Sequence, residues 1–577
     1  MSPPPDWSST EQALWNAVHE GRSLDLAPRS GQLAADDDLR EVSASALASL
    51  ILNPPAASAG IVTHVHLVRA HVTGELRLAN ADVKVPVSLI NCRFDQPVNL
   101  GDAVMRSLDL SGSQLPALGA DGARISGDLL LAELACDELS LLRAEIDGNM
   151  WLVEARVGWS PAETAVHGAQ LRIRGGLYAR GLGVTGQLNL WGAQAFSVEL
   201  DEAEIASTHG PAIRADGLRV SQDLSCAGMS IVGGLALFDA HVGGQFWLSG
   251  TTVRSGADGH EAIHAPSLTV DGGLYARELV ADGGLGLFGA KIGESLELHG
   301  SHLTSSDGHA LRALGLTVER DLVFDNKTEI TGTVELSDTT VKGTLTAGGR
   351  FAGDAIVSLR QARIGVLDLT AVHVQPARLD LRAAAITTIR DAPDTWPQRL
   401  DLDSLTYEVL DPATPVASRL AWLNRGDLTY QPQPYEQLAA HYRRLGHDDD
   451  ARTVLLARHR HRRRTRRLPG RLWEHLEDLI VGYGYRPGRA LAWLCGLIAL
   501  VATIFVFHQP RPLGTNGPAF QPVAYALDLI LPILDLGQER AFTPVGLTRW
   551  VAWAATLAGW LLATTVIAGI TRRLNRA

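Results

Sequence analysis

The side chains with the most evident chemical potential lie at the far end of the chain. Asp528 and Asp535 sit in a short apolar stretch, 523–536 (VAYALDLILPILDL), seven residues apart, so on a helix they share a face with Leu531. Pro532 between them bends or ends the first half of that helix. A carboxylate in an apolar segment is costly unless it faces water, a partner helix or an ion path. Two readings stay open: an interfacial or re-entrant segment with both acids toward water, or a polar seam where several subunits meet. Asp528, Asp535 and Gln538 would line that seam, with Thr564 or Thr565 supplying hydrogen bonds. Upstream, Arg458, Arg460, Arg462, Arg463, Arg464, Arg466 and Arg467 crowd one stretch. Such a cluster attracts phosphate, and its place before an apolar segment favours anionic lipid headgroups over nucleic acid.

Other constellations carry less. Gly181, Gly183 and Gly186 (GLGVTG) spell the dinucleotide fingerprint, with Asp201 downstream. That fingerprint works where a strand turns into a helix whose N-terminus meets the pyrophosphate. Leu182, Val184 and Leu188 instead follow a strand spacing, so the glycines read as corner residues. His64, His66 and His71 have no carboxylate or cysteine at matching spacing and read as surface imidazoles rather than a metal site. No GxSxG, HExxH, P-loop or CxxC motif occurs. No catalytic residue, cofactor site or metal site is assigned.

The elements that position these groups follow from one spacing. Leu274, Ala276, Leu279, Ala281, Leu285, Leu287, Ala290, Ile292, Leu296, Leu298, Ser301 and Leu303 are separated by 2, 3, 2 and 4 residues, and then the pattern repeats. A step of two keeps both side chains on one face of an extended segment, and the longer steps are corners. Two 11-residue units make a coil of about 22 residues, and the same ruler extends from about Val65 to Ile389. The fold class is therefore mainly β, a long β-solenoid. About 15 coils at roughly 4.8 Å each give a rod on the order of 70 Å. After Val157, Ile205, Val253 and Leu303, spaced 48, 48 and 50 residues, a polar insert delays the next inward residue. Inserts on every second coil must fall at one corner, as a row of loops and a natural contact surface for a protein partner.

Four domains are expected: 1–60, a helical N-terminal cap; 61–400, the solenoid; 401–488, a connector, a tetratricopeptide-like helical hairpin (about 435–464) and a basic juxtamembrane helix; and 489–577, a membrane domain. The membrane domain follows from two apolar runs, 490–507 and 550–570, each long enough to span a bilayer. Arginines crowd before the first and follow the second, which places both termini and the solenoid on the cytoplasmic side of a plasma (inner) membrane. The charge is uneven: 17 of the 51 basic and 6 of the 63 acidic residues lie beyond Ala451, leaving 34 against 57 before it, a net of −23. The solenoid half is thus an unfavourable surface for nucleic acid. Cys92, Cys136 and Cys226 at inward positions and Cys495 in an apolar run all read as buried free thiols.

Taken together, the layout resembles a family of bacterial membrane proteins labelled "membrane-associated oxidoreductase", related in style to pentapeptide-repeat proteins. The residues that carry the resemblance include SLDLAP, VHLVRAHVTGELRLANADV, GLYARGLGVTGQLNLWGA, YEQLAAHYRRLGHDDDARTVLLA, VGYGYRP and YALDLILPILDLGQ. The step here is 11, not 5. The resemblance implies oxidoreductase activity but assigns it no residue. The expected function is a membrane-anchored scaffold or protein-binding surface; the alternatives are that oxidoreductase and a channel-like oligomer.

Overall fold

The inward residues of the ruler are sealed: all twelve from Leu274 to Leu303 are 2 % exposed or less. The computed structural model describes residues 3–26, 41–56, 60, 62–158, 164–255, 261–352, 354–426, 430–465, 487–514, 518–531 and 534–574. They form two units, Met1–Asp427 and Leu428–Ala577.

In the first unit every coil pairs with the next in parallel. One ladder runs Trp151↔Tyr178, Tyr178↔Glu199, Glu199↔Ser225, Ser225↔Trp247, Trp247↔Tyr275 and Tyr275↔Glu297. The result is a parallel β-solenoid of about 15 turns of about 22 residues. Polar side chains that point inward are small and paired across coils. The Ser301 hydroxyl donates to the Ala276 carbonyl (2.6 Å), Ser113 to Leu89 (2.7 Å) and Thr339 to Ala313 (3.0 Å), so no donor is buried unpaired at these positions. The ladder continues past residue 400, through Arg399–Asp401 and Thr406–Asp411.

The two ends of the solenoid are closed differently. At the N-terminal end the helix Ser9–His19 starts with a capping box in which Ser8 and Glu11 exchange bonds. The other Glu11 oxygen accepts the Ser43 N–H at 3.0 Å and also the Ser43 hydroxyl, tying the first helix to the second, Ala44–Leu52. At the C-terminal end the helix Val416–Leu423 carries Arg419, 1 % exposed, onto Asp391, 0 % exposed. The pair is bidentate, at 2.7 and 2.8 Å, and the Trp396 indole N–H donates to the same carboxylate at 2.8 Å.

In the second unit the helices Gln433–Arg444 and Asp448–Thr465 form the hairpin. Helices Pro487–Phe507, Pro522–Ile530 and Leu547–Leu574 share a core that includes Leu494, Phe505, Tyr525, Ile530, Ala555 and Leu562. Leu500, Val506, Phe507, Trp550, Leu557 and Leu561 remain exposed.

The expectation of two membrane-spanning helices, at 490–507 and 550–570, is corrected here: among the described residues no helix is long and apolar enough to cross a membrane. The first of these helices opens on Pro487, Gly488 and Arg489, so its apolar part is shorter than its length. The second carries Arg549, Trp550, Trp553, Gly559 and Trp560 with Thr548, Thr556 and Thr564, which dilute its apolar character. With the spans go the multi-pass inner-membrane location and the cytoplasmic placement of termini and solenoid, both of which rested on them. Cys495 is a second correction, being exposed, whereas Cys92, Cys136 and Cys226 are buried.

Candidate binding surface

The inserts and the coils between them build one edge of the solenoid. Pairing stops after Ala206 and resumes at Ile213, the register shifts between Thr304 and His309, and beyond the other two inserts pairing is resumed at Thr164 and Ile263. The intervening coils make the same corner with glycine alone: Gly186, Gly233 and Gly234, Gly283 and Gly284, and Gly332, with φ from +86° to +129°. A Cβ on Gly283 would stand 2.6 Å from the Ser255 Cβ, and one on Gly284 would stand 2.6 Å from the His309 carbonyl oxygen. The described insert residues Ser255 and His309 therefore rest against the glycine turn at Gly283 and Gly284.

The alternation carries over to the next corner. There the column, linked coil to coil by backbone bonds of 2.7–2.9 Å, runs Trp191, Asp216, Phe238, Pro266, Phe288 and Leu314. Insert-free coils hold the aromatics and insert-bearing coils hold Asp216, Pro266 and Leu314. Trp191 is 45 % exposed and Phe238 53 %, Phe288 is half-buried, and Leu314 is 40 % exposed. Two positions before each corner residue the order reverses, with small Asn189, Ala236 and Gly286 on the aromatic coils and His167, Arg214, His264 and Arg312 on the others. These cations are paired: Arg214 with Asp216 (3.2 Å), His264 with Glu261 (2.8 Å), Arg312 with Glu261 (3.4 Å) and with Asp307. The hydrogen bond that the His264 imidazole donates to the Glu261 carboxylate raises its pKa above the ordinary value, against the effect of burial. Asp307 is held below the carboxylate range because bonds from Ser305 and the His309 N–H, with Arg312 close by, outweigh burial.

In the ladder of Trp151, Tyr178 and Glu199, a separate sheet from the one that leads to the corner row, lie two stacked aromatic pairs, Trp151 on Tyr178 (4.4 Å between ring centres) and Trp247 on Tyr275 (4.5 Å). Gly176 and Gly273 leave room for the tyrosine rings, which a Cβ would meet at 2.6 and 2.8 Å. Arg180 pairs with Glu202 and Arg277 with Glu297, both at 2.5 Å. The sequence reading missed these pairs and the aromatic corner, although the signal is present. GGLYAR occurs at 175–180 and 272–277, and LNLWGA, LALFDA and LGLFGA recur at 188–193, 235–240 and 285–290.

The residues singled out in the sequence fall elsewhere. The Asp528 carboxylate is buried and accepts the backbone N–H groups of Leu536 (2.6 Å), Gln538 (2.8 Å) and Glu539 (3.0 Å), capping the short helix Gln538–Ala541. Burial raises its pKa, but those three donors outweigh burial and hold it below the ordinary carboxylate range. Asp535 is exposed and pairs with Arg540 at 2.7 Å. Gln538 is buried, bonded to the Gln521 N–H and the Ala519 carbonyl. The Thr564 hydroxyl donates to its own helix at Trp560; the Thr565 side chain lies outside the described residues. Arg458 pairs with Glu436 on the preceding helix, and Arg460 and Arg462 are exposed. The side chains of Arg463 and Arg464, and all of Arg466 and Arg467, lie outside the described residues. Gly183 and Gly186 belong to a strand–turn–strand, Gly183–Thr185 and Gln187–Asn189, with no helix following. His71 pairs with Asp95 at 2.7 Å, while His64 and His66 meet edge to face. Among the described residues no group of three or more His, Cys, Asp or Glu could hold a metal ion.

The architecture defines a repeat protein of the parallel β-solenoid class. Beyond that class, the chain matches no protein-family model, no curated protein and no solved structure.

Proposed function

We propose that the solenoid is a scaffold that binds a protein partner along its outer surface. One observation carries this reading: the corner row sets exposed Trp191 and Phe238 and half-buried Phe288 on the outside of the coils, although the core does not need them. A coil closes equally well with alanine or serine at a corner, so large aromatics repeated there on alternate coils are suited to recognition. The oxidoreductase reading that the family resemblance implies is favoured by no particular residue. The test is site-specific photo-cross-linking in cells, with a benzophenone amino acid placed at Phe238, at Tyr275 and at Ile356. A discrete protein adduct at position 238 is the expected result. If no position on the solenoid yields a protein adduct, the scaffold reading is wrong.

A further inference from the structure

The corner row has a defined pitch as well as a composition. Successive strands of a ladder are about 4.8 Å apart, so Trp191, Phe238 and Phe288, each two coils from the next, repeat about every 9.6 Å. Between them lie two valleys, one floored by Asp216 and one by Pro266. A polyproline II helix advances about 3.1 Å per residue with three residues per turn, or about 9.3 Å per turn. Its turns therefore keep step with the valleys over the whole row, which spans four coil steps, about 19 Å. An extended β-strand, with a side-chain repeat of about 6.8 Å on one face, falls out of step by the second valley. Proline-rich segments dock by setting their rings between aromatic side chains, because the helix is already ordered before binding.

Charge narrows the partner further. Residues 1–451 carry a net of −23. Charges bordering the row are locally balanced, Arg214 with Asp216 and Arg219 with Asp239 (3.1 Å). Attraction therefore comes from the field of the acidic half as a whole, which steers cationic partners.

We infer that the corner row Trp191–Phe238–Phe288 is a docking site for a proline-rich, lysine- or arginine-bearing segment of another protein in the polyproline II conformation. The inference rests on the scaffold reading and names its partner class. The full chain is titrated with a fluorescent peptide of Lys-Pro-Pro repeats, with a Lys-Gly-Gly peptide of equal charge, and with a neutral β-linked glucan oligosaccharide as competitor. The Lys-Pro-Pro peptide is expected to bind more tightly than Lys-Gly-Gly, to lose about tenfold in affinity in Phe238→Ala and to recover it in Phe238→Trp. It should also weaken with salt. Equal binding of the two peptides, indifference to Phe238→Ala, or displacement by the glucan would overturn the inference. A protein adduct at position 238 in the cross-linking experiment, without preference for the proline peptide, would overturn the inference and leave the scaffold reading standing. No adduct at any solenoid position would remove both.

Discussion

Three of the four thiols fill inward positions of the coils, and burial pushes them up, Cys92 to about 11, Cys136 to about 12 and Cys226 further still. The thiolate is the reactive form, so these three should be inert in the folded chain while the exposed Cys495 reacts. Titration with a disulfide reagent at pH 8 is expected to show one fast thiol, lost in Cys495→Ser, and four after denaturation. More than one fast thiol would mean that coils open readily. Asp528 gives a pH prediction of definite sign. Its folded pKa is depressed, so its contribution to stability is full above the unfolded value of about 4 and is lost as pH falls through the lower folded value. Asp528→Ala should cost about 1–3 kcal/mol at pH 7, because three backbone N–H groups lose their acceptor. The gap between variant and parent, measured by chemical denaturation, should narrow toward pH 3. An unchanged gap would show that the cap contributes nothing. The sequence marked Asp528 as unusual but not why, since its partners are the backbone N–H groups of Leu536, Gln538 and Glu539, which side-chain periodicity does not encode.

For single elements, the ruler was legible because inward burial imposes a spacing on apolar residues, and the interval of the inserts was legible because an insert delays that spacing. The alternating glycine corners and exposed aromatics were not, since outward residues are free of the core's constraint. The end of the solenoid was blurred for a related reason: 391–398 (DAPDTWPQ) breaks the spacing, yet Arg399–Asp401 and Thr406–Asp411 rejoin the ladder. The apolar runs near the C-terminus misled because hydropathy alone does not say whether Phe505 or Ile530 faces lipid or another helix; both are in the shared core. The glycine corners give a graded test. Gly283 has φ +129° and an insert side chain against it, while Gly289 has φ +61° and nothing within 4 Å of the point where an alanine methyl would stand. Gly283→Ala should cost about 1–3 kcal/mol from backbone strain alone, with the clash in addition. Gly289→Ala should cost about 1–2 kcal/mol. Urea denaturation measures both, and equal losses would mean that the insert does not rest on this glycine turn.

Across the first unit, backbone pairing links each coil to its neighbours, and only single side chains such as Arg312 on Glu261 reach two coils away, so stability is close to a sum of coil and interface terms and the ends decide where unfolding begins. The C-terminal end is held by the Arg419–Asp391 pair, with the Arg419 guanidinium also set over the Trp396 and Trp422 rings at 5.9 and 5.6 Å. Removing one member of such a pair leaves a buried charge uncompensated, whereas replacing both by apolar residues does not. Asp391→Ala should therefore cost about 3–5 kcal/mol, and Asp391→Ala with Arg419→Met should cost less. In a one-dimensional stack the loss should be local. Hydrogen exchange should accelerate across Arg378–Asp380, Ala385–Arg390 and Thr406–Asp411 and stay at parent rates near Leu129–Leu130 and Met150–Trp151. Protection lost evenly along the stack would show a solenoid that unfolds as one cooperative body, and a double variant no better than Asp391→Ala would show that the helix Val416–Leu423 is held by its packing rather than by the charge pair.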